Sequence, residues 1–391
     1  GNPITIKNCG GPVIIGSDFT YMFRVMNSKY LHITGTGDPN TFYGIKTQPF
    51  FTNLTSAAYS FNGVLSDIEI DHVWGDSTRV WGIQLKTTPV DYDSLTWHPY
   101  GVINNIKIHD CKMSNTGVEG YYIGYTDYDV LVKTASGTTI NVDAPRIVNL
   151  EFHDNISLNT GWDGMQFAAV DNFVAYNNYI HNYGMTNPSG QMDGFILGGR
   201  TWGRMYNNYI DSGGSTGIHL MGFNQNAPPT LIYNNLVINA GWDGIWTDDR
   251  PGSNDRYPNQ KYYIFNNPIV NPARYGANFY SSNGTVSSGN RFQNNLIVNP
   301  ANNFINEDKT MAVPGMIDTT HNFGIKSLAS AGFIPGTWKL SPFSPAYNIT
   351  GVDASAFFTT DYDFMNRNGV YDMGAYINAP DTITVLTAYA G

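Results

Sequence analysis

The chain has 391 residues, only 13% of them charged, and its 21 Lys and Arg face 31 Asp and Glu for a formal net charge of −10. That balance repels a phosphate backbone and offers no basic stripe, so nucleic acid is excluded as an expected partner. No segment reaches the roughly 18 apolar residues of a membrane span, Gly1-Asn2-Pro3 lacks the form of a signal peptide, and Cys9 with Cys111 is too small a set for a disulfide framework, their redox state staying open.

What remains is strand-and-turn composition: 41 Gly, 26 Tyr and 21 Phe, with Asn recurring throughout. In chain order, residues 1–60 read as N-terminal coils or a cap, and a weak first repeat follows at SDIEIDHVWGD (66–76). The repeat is then clear in VINNIKIHDCKMSN (102–115), RIVNLEFHDNISLN (146–159), NFVAYNNYIHN (172–182), WGRMYNNYIDS (202–212), PTLIYNNLVIN (229–239), KYYIFNNPIVN (261–271) and GNRFQNNLIVN (289–299). The aligned column Cys111, Asn155, Asn178, Asn208, Asn235, Asn267, Asn295 is spaced, by subtraction, 44, 23, 30, 27, 32 and 28 residues. One coil of twenty-odd residues plus variable loops fits these intervals. Leu231-Ile232-Tyr233 and Leu236-Val237-Ile238 are short β-rich runs between turn residues, which rejects a helical solenoid.

The expected fold is therefore all-β: a single-stranded right-handed parallel β-helix with capped ends. Stacked coils bring equivalent residues about 4.8 Å apart, so the Asn column is expected to form an amide ladder and to be scaffold. One domain is expected over 1–380, with regular coils over 65–300, C-terminal coils or cap over 301–380, and 381–391 as a linker stub that hints at a further domain.

Each coil continues into a Gly-centred motif: Glu119-Gly120, Asp163-Gly164, Asp193-Gly194, Thr216-Gly217 and Asp243-Gly244. The glycine is read as permitting a tight turn before a strand. Residues one and three beyond it, such as Met165 and Phe167, are expected inside, and those two beyond it, Tyr122, Gln166, Ile196, His219 and Trp246, outside. Insertions at 87–101, 126–145, 223–228 and 249–260 follow this strand and are expected to wall a groove along the solenoid.

With coils, Asn column and insertions in place, the sequence resembles the pectin-lyase-like superfamily over residues 65–300, and Asp361-Tyr362-Asp363 to Asp372-Met373-Gly374-Ala375-Tyr376 resembles a closing segment of its secreted bacterial members. The resemblance implies the fold and a secreted or cell-surface location. It does not select an activity, because the superfamily holds hydrolases, lyases, epimerases, tailspikes and adhesins. Asp71-His72 is similar to part of the pectate lyase signature, and Asp243-Gly244 with Asp248-Asp249 to parts of the polygalacturonase one, but the remaining elements of each are missing.

The acids Glu119, Asp163, Asp193 and Asp243 are expected to form a column with one-coil steps of about 5 Å and two-coil steps of about 10 Å. Retaining glycosidases use carboxyls roughly 5–5.5 Å apart and inverting ones roughly 6.5–9.5 Å, so the column supplies either geometry. The competing reading of each is an acid that caps turn N–H groups. Catalytic candidates are Asp163, Asp193, Asp243, Asp248 and Asp249. Substrate-binding candidates are Glu119, Tyr122, Gln166, Arg200, His219, Trp246 and Arg250, with Trp246 suited to stacking on a sugar, Arg250 to holding a carboxylate and Arg200 to stabilising the enolate-like intermediate of a lyase.

No cofactor is required by these residues. Calcium is admissible, with Asp91, Asp93, Asp127 and Asp129 as weak ligands. The expected function is hydrolysis of a polysaccharide by a carboxylate pair in the groove; elimination on the same face and a non-catalytic glycan-binding or adhesin β-helix are the alternatives.

Overall fold

The computed structural model describes residues 3–16, 20–49, 57–127, 129–186, 190–221, 227–249, 261–281, 289–307 and 317–377. Every described coil but the last contributes one strand to each of three long parallel sheets, so the chain winds as a right-handed parallel β-helix. The first sheet runs through eleven strands from Ile4–Lys7 to Ile317–Asp318, and the second through eleven from Val13–Ile15 to Phe323–Ile325. The third has ten, from Tyr21–Met26 to Ile305–Glu307. Coiling thus begins at residue 4, well before the repeat becomes visible in the sequence.

The Asn-Asn pairs explain the corner between the first two sheets. The first Asn of each pair is left-handed, with φ near +54° at Asn177, Asn207, Asn234 and Asn266, a conformation that short polar side chains tolerate. The second is buried and forms the expected ladder. Asn178 Nδ2 donates to Asn208 Oδ1 at 2.8 Å, Asn208 to Asn235 at 2.8 Å, Asn235 to Asn267 at 3.0 Å and Asn267 to Asn295 at 2.9 Å. Inside, alternate side chains of the strands interlock, as in the edge-to-face run of Phe152, Phe167 and Phe195.

The motif glycines serve close packing rather than an unusual turn. Gly164, Gly194, Gly217 and Gly244 have no positive φ, but a Cβ on Gly164 would lie 2.3 Å from Ile180 Cγ2 and 2.6 Å from the Gly194 carbonyl oxygen. Only hydrogen fits where one coil passes so near the next.

The C-terminal segment lies along the flank of the solenoid instead of simply closing its end. Leu340, Ala346, Met373 and Ala375 pack on Leu236, Val270 and Leu296 of the second sheet. Asn207, Asn234, Asn266 and Asn294, the left-handed members of their pairs, donate to the carbonyls of Tyr362, Thr360, Asp372 and Val352. No described helix is long and apolar enough to cross a membrane, and Cys9 and Cys111 are both free thiols.

Candidate active site

The outer face of the third sheet carries one column in parallel register: Gln84, Tyr122, Gln166, Ile196, His219, Trp246, Asn278. The alternation read from the sequence therefore holds, but the column is largely covered: Tyr122, Gln166, Ile196 and His219 are all buried. Beside it, in the turns that feed the strands, stand Glu119, Asp163, Asp193, Thr216 and Asp243.

The acids form a second ladder. Asp163 Oδ1 accepts the Asp193 N–H at 2.8 Å, Asp193 Oδ1 the Thr216 N–H at 2.9 Å, and Asp243 Oδ1 the Tyr275 N–H at 3.2 Å. Each carboxylate thus caps the equivalent turn of the following coil, which gives it a structural role with one oxygen. The other oxygen distinguishes them.

Asp243 Oδ2 is taken by Arg274 and by Asn278 Nδ2 at 3.0 Å, Arg274 Nε also reaches Oδ1 at 2.7 Å, and the guanidinium lies 3.9 Å over the Trp242 ring. A two-pronged ion pair of this kind fixes the carboxylate in place and occupies both of its oxygens. Asp193 Oδ2 meets His219 Nδ1 at 2.8 Å, and His219 Nε2 stands 3.9 Å from Asp248 Oδ2. Asp163 Oδ2 has no partner among the described residues. Burial, reinforced by the charges of Asp193 and Glu119, raises the Asp163 carboxyl well above its ordinary range.

Glu119 is likewise pushed up by burial, to about 7, against hydrogen bonds from the backbone and from the Trp81 side chain and the weaker pull of Lys86. Burial lowers the Lys86 ammonium to about 8, against the attraction of Glu119 and Asp127. Lys86 stands over Tyr122 at 4.1 Å, Tyr125 at 5.1 Å and Trp81 at 5.2 Å, a partial aromatic cage.

One observation unites this face. Gln84 Oε1, Asp163 Oδ2, Gln166 Oε1 and His219 Nε2 are all buried and without a hydrogen-bond partner among the described residues, while the Trp81 side chain pairs with Glu119. Buried polar atoms are nearly always paired, so a row of unpaired ones along a single sheet face has the character of a ligand-binding surface.

The structure thus brings together Glu119, Tyr122, Asp163, Gln166, Asp193, His219, Trp246 and Asp248. Trp246 is half-buried and lies 4.2 Å from the His219 ring in a stacked pair, so one indole face is covered rather than open to a sugar. Arg200 is elsewhere in role: it is buried with Nη1 2.5 Å from Asp143 Oδ2, and its carbonyl accepts from Arg146, so it pins the 126–145 insertion to the coils. That insertion is an antiparallel hairpin, Val130–Lys133 with Thr139–Val142, packed on Trp97 of the 87–101 loop.

Asp249 ends the strand Ile245–Asp249, paired with Ser281, while its side chain, Arg250 and most of the 223–228 and 249–260 insertions lie outside the described residues. Asp91 and Asp93, weak calcium candidates, accept the N–H groups of Lys133 and Leu95. Sequence reasoning missed Trp81, Gln84, Lys86 and Arg274. Extending the outward column one coil in each direction was the available signal.

No family model matches the chain, and no curated protein matches its sequence. Solved structures do resemble it. The A-module of the mannuronan C-5 epimerase AlgE4 of Azotobacter vinelandii is 14% identical over 84% of this chain and 83% of its own, with a TM-score of 0.46. The A-module of AlgE6 from the same organism is 11% identical over 82% and 80%, with a TM-score of 0.43. The periplasmic alginate epimerase AlgG is 14% identical over 83% and 77%, with a TM-score of 0.42. At such identities the likeness concerns the fold alone.

Proposed function

We propose that the protein is a polysaccharide-cleaving enzyme that hydrolyses glycosidic bonds on the outer face of the third sheet. The row of unpaired buried polar atoms from Gln84 to His219 is the observation that carries this reading. It runs along the solenoid axis, as a binding surface for a linear polymer must.

Asp163, in that row, and Asp193, one coil on beside it, are the reacting pair. Asp193 is held by two contacts, from the Thr216 N–H and His219. Asp163 receives one backbone donor and is fully buried, which favours its protonated form. Their one-coil step of about 4.8 Å lies close to the roughly 5–5.5 Å carboxyl separation of retaining enzymes. Asp163 then donates its proton to the leaving oxygen as Asp193 attacks the anomeric carbon. In the second step Asp163 takes a proton from water, whose oxygen displaces Asp193 and restores both carboxyls. His219 positions Asp193. No cofactor enters these steps, and the reading places the protein outside the cytoplasm.

A second reading, elimination on a uronate polymer, draws on Lys86, whose lowered pKa and place beside Tyr122 suit a cation that pairs with a sugar carboxylate. A panel of neutral and acidic polysaccharides, followed for reducing ends and for ultraviolet absorbance of unsaturated products, separates the two. New reducing ends without unsaturation, abolished by Asp163→Asn or Asp193→Asn, are the expected result. Unsaturated products dependent on Lys86 establish elimination, and binding without cleavage on every polymer establishes a glycan-binding β-helix.

A further inference from the structure

We infer that His32, Glu69 and Asp71 form a binding site for one Zn²⁺ ion on the first sheet, a different face of the solenoid from the proposed active site. His32 lies on the strand Lys29–Thr34, and Glu69 and Asp71 lie on its neighbour Leu65–Asp71. The register pairs His32 with Glu69 and Thr34 with Asp71. Alternation along a strand puts Glu69 and Asp71 on the same side, and the pairing sets His32 beside both.

The result is one imidazole nitrogen and two carboxylate oxygens that all lie within 4.8 Å of one another. A tetrahedral zinc ion bound at about 2.0–2.2 Å holds its ligand atoms roughly 3.4 Å apart. His32 Nε2 is already in contact with Asp71 Oδ2, so that contact opens and Glu69 closes in. Glu69 and His32 are only half-buried, and side-chain rotation accomplishes both moves.

The surroundings are built as a metal's outer shell is built. His72 Nδ1 holds the other Asp71 oxygen at 2.7 Å, and His109 Nε2 holds Glu69 Oε1 at 3.2 Å. His109 Nδ1 is in turn fixed by Asp110 Oδ2 at 2.8 Å. Both carboxylates are therefore oriented by a second imidazole, the arrangement that raises affinity and fixes ligand geometry. Mixed nitrogen and carboxylate donors suit zinc, whereas calcium needs six to eight oxygens that this patch does not supply. Three protein ligands is the number found in zinc sites that keep a water.

The test is calorimetric titration of ZnCl₂ into the full chain after chelator treatment, with His32→Ala, Glu69→Gln and His72→Ala alongside. One equivalent per chain is expected to bind. His32→Ala and Glu69→Gln each weaken it by at least about tenfold, and His72→Ala by about tenfold, as loss of an outer-shell partner does. A melting temperature that rises on adding Zn²⁺ in the parent and not in His32→Ala is the second expected readout. His32 and Glu69 are partly exposed, so their variants are expected to fold, and melting without metal checks this. Titrations of the parent and both ligand variants that superimpose, or tighter binding of Ca²⁺ than of Zn²⁺, overturn the proposal.

Discussion

Asp193 and His219 lie 2.8 Å apart across one coil step, and this contact divides the labour between two carboxyls that look alike in the sequence. Asp193 spends one oxygen on the Thr216 N–H and the other on the imidazole, while Asp163 keeps an unpartnered oxygen in a site with no solvent contact. Burial raises the Asp163 carboxyl well above its ordinary range, which suits it to the part of general acid in the proposed pair.

Asp193→Asn removes the charge but keeps an amide oxygen for the Thr216 N–H. We expect turnover to fall by about 10²-fold or more, with the melting temperature nearly unchanged, measured by reducing-end release and thermal unfolding. Asp193→Ala loses the acceptor as well and is expected to cost about 1–3 kcal/mol of stability in addition.

Asp243→Asn is expected to do the reverse. Asp243 is bound on both oxygens by Arg274 and Asn278, so it is unsuited to transfer a proton. Cleavage should persist within severalfold, while urea unfolding reports a loss of about 1–3 kcal/mol as Arg274 and the Tyr275 N–H lose their charged acceptor. Cleavage abolished in a folded Asp243→Asn chain would place the chemistry two coils beyond Asp193.

Glu119 gives a pH dependence with a definite sign. Its carboxyl rises from 4.5 to about 7 on folding because of burial. Below pH 4.5 both states hold the proton and burial is harmless; between 4.5 and about 7 the unfolded chain releases it first, so stability falls as pH rises. The full loss is about 3 kcal/mol, from roughly 1.4 kcal/mol per pH unit. Asp163 acts in the same direction. Lys86, lowered from 10.5 to about 8, acts only above that window. Glu119→Gln should therefore flatten, without abolishing, the decline in melting temperature from pH 5 to 7.

The coils were legible because each repeats the same local chemistry: Asn208 and Asn235 announce the corner, and Met165, Gln166 and Phe167 announce which face is inside. The partners of the site residues were not, because the helix joins residues a coil apart that the sequence separates by a variable loop. Arg274 reaches Asp243 across 31 positions, and Lys86 reaches Tyr122 from the preceding coil. Arg200 misled for the same reason, since its partner Asp143 sits on an insertion that obeys no repeat. The first coils carry no Asn-Asn signal, because Asn8, Gly37 and Gly44 stand there instead: Asn8 Oδ1 accepts the Gly37 N–H at 2.8 Å, a corner made without a ladder.

Arg367 fastens the C-terminal segment to the coils, and its loss is expected to release that segment before the solenoid melts. The guanidinium is buried, with Nη2 donating to Asn234 Oδ1 at 3.0 Å and to the Ala375 carbonyl at 2.9 Å. Arg367→Met retains most of the apolar stem but leaves Asn234 Oδ1 without its donor, at about 1–3 kcal/mol for a fully buried group, while the Ala375 carbonyl keeps the Tyr362 N–H. Limited proteolysis should cut the variant within 350–377 at protease levels that leave the parent intact, while circular dichroism still reports intact strands. Simultaneous loss of strand signal and segment would mean that the flank and the coils unfold as one unit.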